Sequence, residues 1–202
     1  DCSVNHWLSE IDFNCPFLRE LYCVSTRVSE IDFSNFLSLE KLDISTTNLV
    51  SIDLSKNVNL KYIDMFASLS EDIDWDLDLS GCTHLEFLNA GCNIFDSLVL
   101  PDSLSILYLD LASITNLDIS NLTNLKKLLF TRGTLASITL PKNTIEDLNI
   151  YGNRLTELDL SDQDKLLFLD CSYNEITSLD VSNCKNIHKI VANENEFKTL
   201  DI

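Results

Sequence analysis

The amino-acid sequence repeats a pattern of apolar residues about every 21 positions. The clearest copy, LLFLDCSYNEITSLDVSNCKN, runs from Leu166 to Asn186, and neighbouring copies begin at Ile145 and Ile187. Repeats of this kind stack so that each copy buries its apolar residues against the next. We therefore expect a repeat coil whose function lies on an exposed face.

Each copy opens with the spacing L-x-x-L-x-L. The nine copies begin at Leu18, Leu39, Leu60, Leu85, Leu104, Leu125, Ile145, Leu166 and Ile187. Apolar residues two positions apart predict a short strand in each copy, with alternate residues facing outward. Leu8, Ile11 and Phe13 supply one more half-copy. This pattern predicts an N-terminal cap at residues 1–17 and one continuous domain of nine repeats at residues 18–202, without a C-terminal cap.

The third copy contains an insertion, SEDIDW, around Ser70 to Trp75. Loops on rigid scaffolds often carry contacts. A neutral variation in repeat length is the other interpretation, and we favour it.

Charge and motifs exclude several classes of function. The formal net charge of -18 repels nucleic-acid phosphates and anionic membranes. No apolar run approaches the roughly 20 residues that span a bilayer. We therefore expect no nucleic-acid partner and no direct membrane insertion. The sequence also lacks a nucleophile motif, a phosphate loop and a four-ligand metal set, so we predict no enzymatic activity, no cofactor and no metal.

Five of the seven cysteines fall in two repeat registers. Cys15, Cys82 and Cys184 lie three residues before the first apolar position of a copy, and Cys23 and Cys171 occupy the sixth position. Free cysteine packs as a small hydrophobic residue, so we expect these five to be reduced core residues. Cys2 and Cys92 fit neither register in this interpretation, and their redox state stays open.

Two polar residue types also recur. Asn93, Asn153, Asn174 and Asn195 follow the predicted strands, where an amide can bond turn backbone. An Asp lies between the last two apolar positions at Asp12, Asp32, Asp53, Asp78, Asp118, Asp159, Asp180 and Asp201. We expect each Asp to accept hydrogen bonds from backbone N–H groups or from the following Ser. Calcium is the alternative, but it needs several converging oxygens.

The segment Ile145 to Asn153 matches L-x-x-L-x-L-x-x-N in full, and Leu166 to Asn174 matches it with Cys at the sixth position. Over about residues 8 to 202, the chain resembles the leucine-rich repeat family, and its short copies are most similar to bacterial internalin-type repeats, including the internalin J subgroup. The resemblance implies an α/β-type repeat solenoid that is predominantly β. This fold is a right-handed coil with a parallel concave sheet of about nine strands and little helix. It also implies an extracellular or cell-surface location.

The outward strand positions near the middle of the array are unusually apolar for a solvated sheet. The candidate ligand-binding residues are Tyr62, Asp64, Phe66, Phe87, Ile106, Tyr108, Asp110, Lys127, Leu129 and Tyr151. Tyr-rich surface bordered by charges is typical of binding hot spots, although aromatic residues also simply suit strands. We predict a non-catalytic protein-binding module in bacterial surface recognition or adhesion, with carbohydrate as a second class of ligand. The alternative is a structural spacer that displays other domains of a larger surface protein.

Overall fold

The chain forms stacked coils in two compact units. A computed structural model describes residues 1–12, 14–68 and 75–201. The units are Asp1–Leu104 and Ser105–Ile202. The predicted insertion at Ser70–Trp75 lies outside the described residues, apart from the backbone of Trp75. The assignment of residues 1–17 as a cap and 18–202 as one domain stays a prediction.

The first unit contains a parallel sheet with one strand from each copy. Its strands are Glu20–Tyr22, Lys41–Asp43, Tyr62–Asp64 and Phe87–Asn89. The strands pair in register, so that Leu21 lies beside Leu42, Leu42 beside Ile63, and Ile63 beside Leu88. These middle residues are buried. Each strand starts two residues after the first apolar position of its copy, as the period-two spacing predicts.

The second unit repeats this arrangement. Its strands are Ile106–Tyr108, Lys127–Leu129, Asp147–Asn149, Phe168–Asp170 and Lys189–Val191. They also pair in parallel, copy by copy. Over the described residues of the two units there are nine such strands, one for each predicted copy.

The second apolar set of the copies also forms short strands, which the sequence did not predict. They pair two by two in parallel. In the first unit the pairs are Glu10–Ile11 with Glu30–Ile31 and Trp75–Asp78 with Phe95–Val99. In the second unit they are Asn116–Asp118 with Ser137–Thr139 and Ser178–Asp180 with Thr199–Asp201.

Helix is almost absent, as expected. The described residues contain a single 3₁₀ turn, Phe33–Asn35, and no longer helix. Asp32 caps this turn, because its Oδ1 accepts a hydrogen bond from the Ser34 N–H at 3.1 Å. No helix in the described part of the chain is long and apolar enough to cross a membrane.

The core of each unit lies between its strands. In one copy Leu39, Leu42, Ile44 and Leu49 are all fully buried. Burying each such side chain stabilises the fold by about 1.5–3 kcal/mol. The leucine spacing that defines the repeat is therefore the spacing of the core.

Each strand is followed by a turn through a residue with positive φ, which the sequence did not predict. In the first unit these residues are Ser25, Thr46, Ala67 and Cys92, and in the second unit they are Leu111, Arg132, Gly152, Tyr173 and Glu194. Only Gly152 adopts this conformation without steric cost. The other residues cost roughly 1–2 kcal/mol each. A polar residue that can bond the turn follows each of them except Leu111 and Arg132, which are followed by Ala112 and Gly133.

Candidate ligand-binding face

The outward-pointing residues of the strands, together with the residue two positions beyond each strand, form what we call the strand face. The predicted alternation is confirmed, because the middle residue of strands such as Tyr62–Asp64 and Phe87–Asn89 is buried and its two neighbours are half-buried. All ten candidate residues lie on the strand face of their unit, and all ten are half-buried. The face is therefore less open than expected, since its side chains cover one another.

In the first unit, the strand face is organised around two stacked rings. Tyr62 and Phe87 are register partners on neighbouring strands. Their ring centroids are 4.5 Å apart and their planes differ by 5°. Parallel strands lie about 4.8 Å apart, so register partners stack naturally. Burial, followed by the negative charge of Asp64, raises the pKa of Tyr62.

Asp64 lies beside this stack and closes the turn after its strand. Its Oδ1 accepts the Phe66 N–H at 3.1 Å, and its Oδ2 accepts a hydrogen bond from Asn89 Nδ2 at 3.3 Å. Burial raises the pKa of Asp64 above its usual value. The sequence assigned Asp64 to the rim of a binding patch, but its carboxylate already has partners within the chain.

The same structural role recurs at other strand ends, and the sequence interpretation missed it. The last strand residue, Asp or Asn, accepts the N–H two residues later in Asp43, Asn89, Asn149 and Asp170 at 3.0 to 3.3 Å. This is an Asx-type turn. The recurrence of Asp or Asn at the fifth position of the copies was the signal that could have revealed it.

In the second unit, an ion pair replaces the ring stack. Lys127 Nζ lies 2.8 Å from Asp147 Oδ2 and 5.9 Å from the centroid of the Tyr108 ring. The hydrogen bond to Asp147 raises the pKa of Lys127. Asp110 accepts hydrogen bonds from the Thr131 hydroxyl and, at 3.3 Å, from the Thr131 N–H. Lys127 and Asp110, both predicted as rim contacts, are thus engaged with neighbouring strands.

The remaining candidates of the second unit are Tyr151, Ile106 and Leu129. Tyr151 lies 5.1 Å from Tyr173, centroid to centroid, with the planes inclined by 55°. Tyr173 is 49% exposed and was not a candidate, because it is the eighth residue of its copy, one beyond the last outward position. Ile106 and Leu129 are half-buried on the same unit's strand face, so the aromatic and aliphatic candidates there do share a face.

The repeated Asp residues on the other side of the coils act as predicted. Oδ1 accepts the N–H of the following Ser at 2.8 to 3.0 Å in Asp53, Asp78, Asp118, Asp159 and Asp180. Hydrogen bonds from the hydroxyl and the N–H of that Ser hold the pKa of these carboxyls below its usual range. Among the described residues, no group of three or more His, Cys, Asp or Glu side chains could hold a metal ion.

The cysteine predictions are correct in part. Cys23, Cys82, Cys171 and Cys184 are buried, and all are free thiols. Burial raises the pKa of Cys82 to about 11 and that of Cys171 to about 12. Cys15 is exposed instead of buried, so the prediction was wrong for this residue.

The assignment of Cys2 to neither register was wrong. The Cys2 N–H donates to Tyr22 O at 2.8 Å, which places Cys2 beside Cys23 in the sixth position of the preceding copy. The predicted half-copy therefore begins earlier than Leu8.

The chain forms stacked parallel coils, with one strand for each L-x-x-L-x-L segment and buried amides after the strands. This architecture defines a leucine-rich repeat protein. No model of a protein family matches the sequence, and no curated protein matches it. Solved structures do match the chain.

YopM from Yersinia enterocolitica WA-314 superposes with a TM-score of 0.74 and 25% identity over 96% of this chain and 45% of YopM. The functional domain of InlJ from Listeria monocytogenes, which includes a cysteine ladder, superposes with a TM-score of 0.63 and 20% identity. The match covers 91% of this chain and 48% of the InlJ chain. The plant peptide hormone receptor RGFR1, in complex with RGF2, superposes with a TM-score of 0.65 and 20% identity. The match covers 92% of this chain and 35% of the receptor chain. The chain thus spans less than half the length of each of these structures. It has the leucine-rich repeat fold that the internalin InlJ also has.

Proposed function

We propose that the chain is a non-catalytic protein-binding module that holds its ligand on the strand face of the first unit and acts in recognition or adhesion at a bacterial cell surface. The observation that carries this proposal is the stacked pair of Tyr62 and Phe87, half-buried on that face. Phe66 adds a third half-buried ring two residues beyond the Tyr62 strand.

The stack suits binding because its rings are already ordered. Each aromatic side chain offers about 150–250 Å² of surface when it is covered. A side chain held in place before binding loses little conformational entropy when a ligand arrives. A ligand would therefore gain apolar contact over Tyr62 and Phe87 without having to order them first.

Charge indicates which ligands suit this face. The chain carries a net charge of -18, and Asp43 and Asp64 are register partners on the same face. A protein segment with basic residues beside apolar ones would complement the rings and the carboxylates together. The complex of RGFR1 with RGF2 supports a peptide or protein ligand for this fold, although it is that receptor's own complex.

A library of random peptides displayed on phage can test the proposal. Peptides are selected on the intact chain and then measured on Phe87→Ala and on Val58→Ala. Val58 is 44% exposed and lies before its strand, off the strand face, so it is the matched control. We expect the selected peptides to lose at least about tenfold in affinity for Phe87→Ala and to bind Val58→Ala as they bind the parent.

Equal affinity for the parent and a folded Phe87→Ala variant would contradict the proposed face. Failure to select any peptide would favour the second candidate function, a structural spacer that displays other domains. The observation that favours the spacer is the internal pairing of Asp64, Asp110 and Lys127.

A further inference from the structure

We infer that Cys2 and Cys23 form an oxidisable pair, a disulfide site that can join the first residues of the chain to the first strand of the parallel sheet. Both thiols are free in this structure. The inference rests on the backbone register, the hydrogen bond from the Cys2 thiol to the residue before Cys23, and the unequal exposure of the two thiols, and it does not depend on the proposed ligand.

The backbone register aligns the two cysteines. The Cys2 N–H donates to Tyr22 O at 2.8 Å, and the Val4 N–H donates to Val24 O at 2.7 Å. The Cys23 N–H donates to Asp43 O in the same way at 2.9 Å. Parallel neighbours lie about 4.8 Å apart, which falls within the roughly 4.4–6.8 Å between Cα atoms that a disulfide bridges.

The turn after Cys2 reproduces the turns after the strands. Val4 has a φ of 61°, and Asn5 Nδ2 donates to Cys2 O at 2.7 Å. The run Cys2–Ser3–Val4–Asn5 thus adopts the geometry of Cys171–Ser172–Tyr173–Asn174, whose Asn174 Nδ2 donates to Cys171 O at 3.1 Å. The Cys2 side chain consequently points the same way as that of Cys23.

The two thiols differ in accessibility. Cys2 is half-buried, whereas Cys23 is fully buried. The Cys2 thiol donates to Tyr22 O, the carbonyl of the residue before Cys23, at 3.2 Å. Burial, followed by the neighbouring Cys2, raises the pKa of Cys23. Cys2 is therefore the thiol that reacts first with an oxidant, and Cys23 is the thiol that then attacks the mixed disulfide on Cys2.

The chemistry requires a small disulfide as the oxidant, such as oxidised glutathione. The Cys2 thiolate attacks one glutathione sulfur, forming a mixed disulfide and releasing the first glutathione thiolate. The Cys23 thiol then gives up its proton, and its sulfur attacks the Cys2 sulfur and releases the second glutathione thiolate. The two cysteines lose two electrons and two protons, which leave as two molecules of reduced glutathione.

The second unit supplies a matched control in Cys171. This thiol is also buried in the sixth position of its copy, but its neighbours in that position are Ile150 and Ala192. Burial without a second thiol predicts that Cys171 stays reduced under the same treatment.

The test uses the full chain with Cys15→Ser and Cys92→Ser, which removes the two exposed thiols. The folded protein is treated with oxidised glutathione at about pH 8, where thiols ionise, and its mass and unreduced peptides are measured. We expect a loss of two hydrogens and a linked peptide containing Cys2 and Cys23. Cys171 should remain available to an alkylating reagent after unfolding.

Two further variants make the result decisive. Cys2→Ser should show no loss of hydrogen, and Cys23→Ala should keep one glutathione on Cys2, because the resolving thiol is gone. An unchanged mass in the parent, a two-hydrogen loss that persists in Cys2→Ser, or a link that involves Cys171 would each overturn the inference.

Discussion

The two units hold the turns after their strands in different ways. Three turn residues of the first unit are hydroxyls, Thr26, Thr47 and Ser68, and three of the second unit are amides, Asn153, Asn174 and Asn195. Each hydroxyl donates to the carbonyl three residues earlier in its own copy, at 2.6 to 2.9 Å. Each amide makes that bond and also donates to a carbonyl of the preceding copy, at 2.6 to 2.9 Å. Its Oδ1 accepts an N–H of that copy as well.

An amide therefore ties two copies together, whereas a hydroxyl chiefly completes one turn. Some turns depart from this contrast. Thr47 also reaches Ser68 O at 3.3 Å, Asn93 makes the amide pattern within the first unit, and Ala112 and Gly133 place neither group in two turns of the second unit. Because a repeat protein is stabilised by its nearest-neighbour contacts, we expect the copies tied by the three amides of the second unit to be more strongly coupled than those with hydroxyls.

The strand faces of the two units also differ in the side chains that contact each other across neighbouring strands. In the second unit, Lys127 is paired with Asp147 and lies over Tyr108. In the first unit, the stack of Tyr62 on Phe87 joins rings to rings. Both faces carry an ion pair between neighbouring strands, since Lys41 pairs with Glu20 at 3.4 Å in the first unit. The two rings that stack in parallel lie on the first unit, and this stack is why we propose the ligand there.

The largest expected effect is the loss of an amide from a turn. Asn174→Ala leaves the Leu155 N–H without its partner, and it removes one of the two amide donors from each of the carbonyls of Ile150 and Cys171. We expect it to lower the free energy of unfolding by about 3 kcal/mol. Thr47→Val, which removes one hydroxyl, should cost about 1 kcal/mol. Urea denaturation of both variants measures the difference, and equal losses would contradict the contrast between the turns.

The next effect comes from two glycines. A Cβ on Gly133 would clash with Phe130 Cε2 and would lie 2.9 Å from Ala112 O, whereas a Cβ on Gly81 would lie 3.7 Å from Ser55 O. Gly133→Ala should therefore destabilise the second unit by about 2 kcal/mol. Gly81→Ala should change stability by less than about 0.5 kcal/mol. Thermal unfolding checks both, and a neutral Gly133→Ala would show that this turn has room that the structure does not show.

The smallest expected effect distinguishes Asp159, whose pKa is lowered, from Asp64, whose pKa is raised. The lowered pKa of Asp159 stabilises the fold above about pH 4, and this stabilisation is lost as the pH falls through the folded pKa. The raised pKa of Asp64 gives the opposite dependence, because its contribution is present below about pH 4 and is lost as the pH rises through the folded pKa.

At pH 7 we accordingly expect Asp159→Asn to lower stability slightly and Asp64→Asn to raise it. Denaturation midpoints at pH 7 and near pH 3 measure both variants. Changes of the same sign at pH 7 would contradict the assignment of burial as the dominant influence on Asp64.

Much of the fold could be predicted because the core and the repeat share one spacing. Strands at Lys41–Asp43 and Phe168–Asp170 lie where the alternation of leucines placed them. The roles of Asn174 and Asp159 also followed from hydrogen-bonding capacity alone. These features are local, so a single copy carries enough information to reveal them.

The rest depends on contacts between copies. Lys127 was assigned to a binding rim because Asp147, its register partner, lies a full copy away in the sequence. Cys2 was placed outside the register because its alignment with Cys23 is set by a backbone hydrogen bond to Tyr22 O, a full copy away in the sequence. Half-burial of the strand face likewise arises from neighbouring strands. Side-chain pairing across coils is a property that one copy does not specify.

The central claim is that a ligand covers Tyr62 and Phe87. Hydroxyl-radical labelling of the chain, with and without a peptide selected on it, measures the accessibility of each aromatic ring directly. The account predicts that the peptide reduces labelling of Tyr62 and Phe87 and leaves Trp7 and Phe17, which are 83% and 87% exposed, unchanged. Protection of Trp7 or Phe17, with Tyr62 and Phe87 labelled as before, would contradict it.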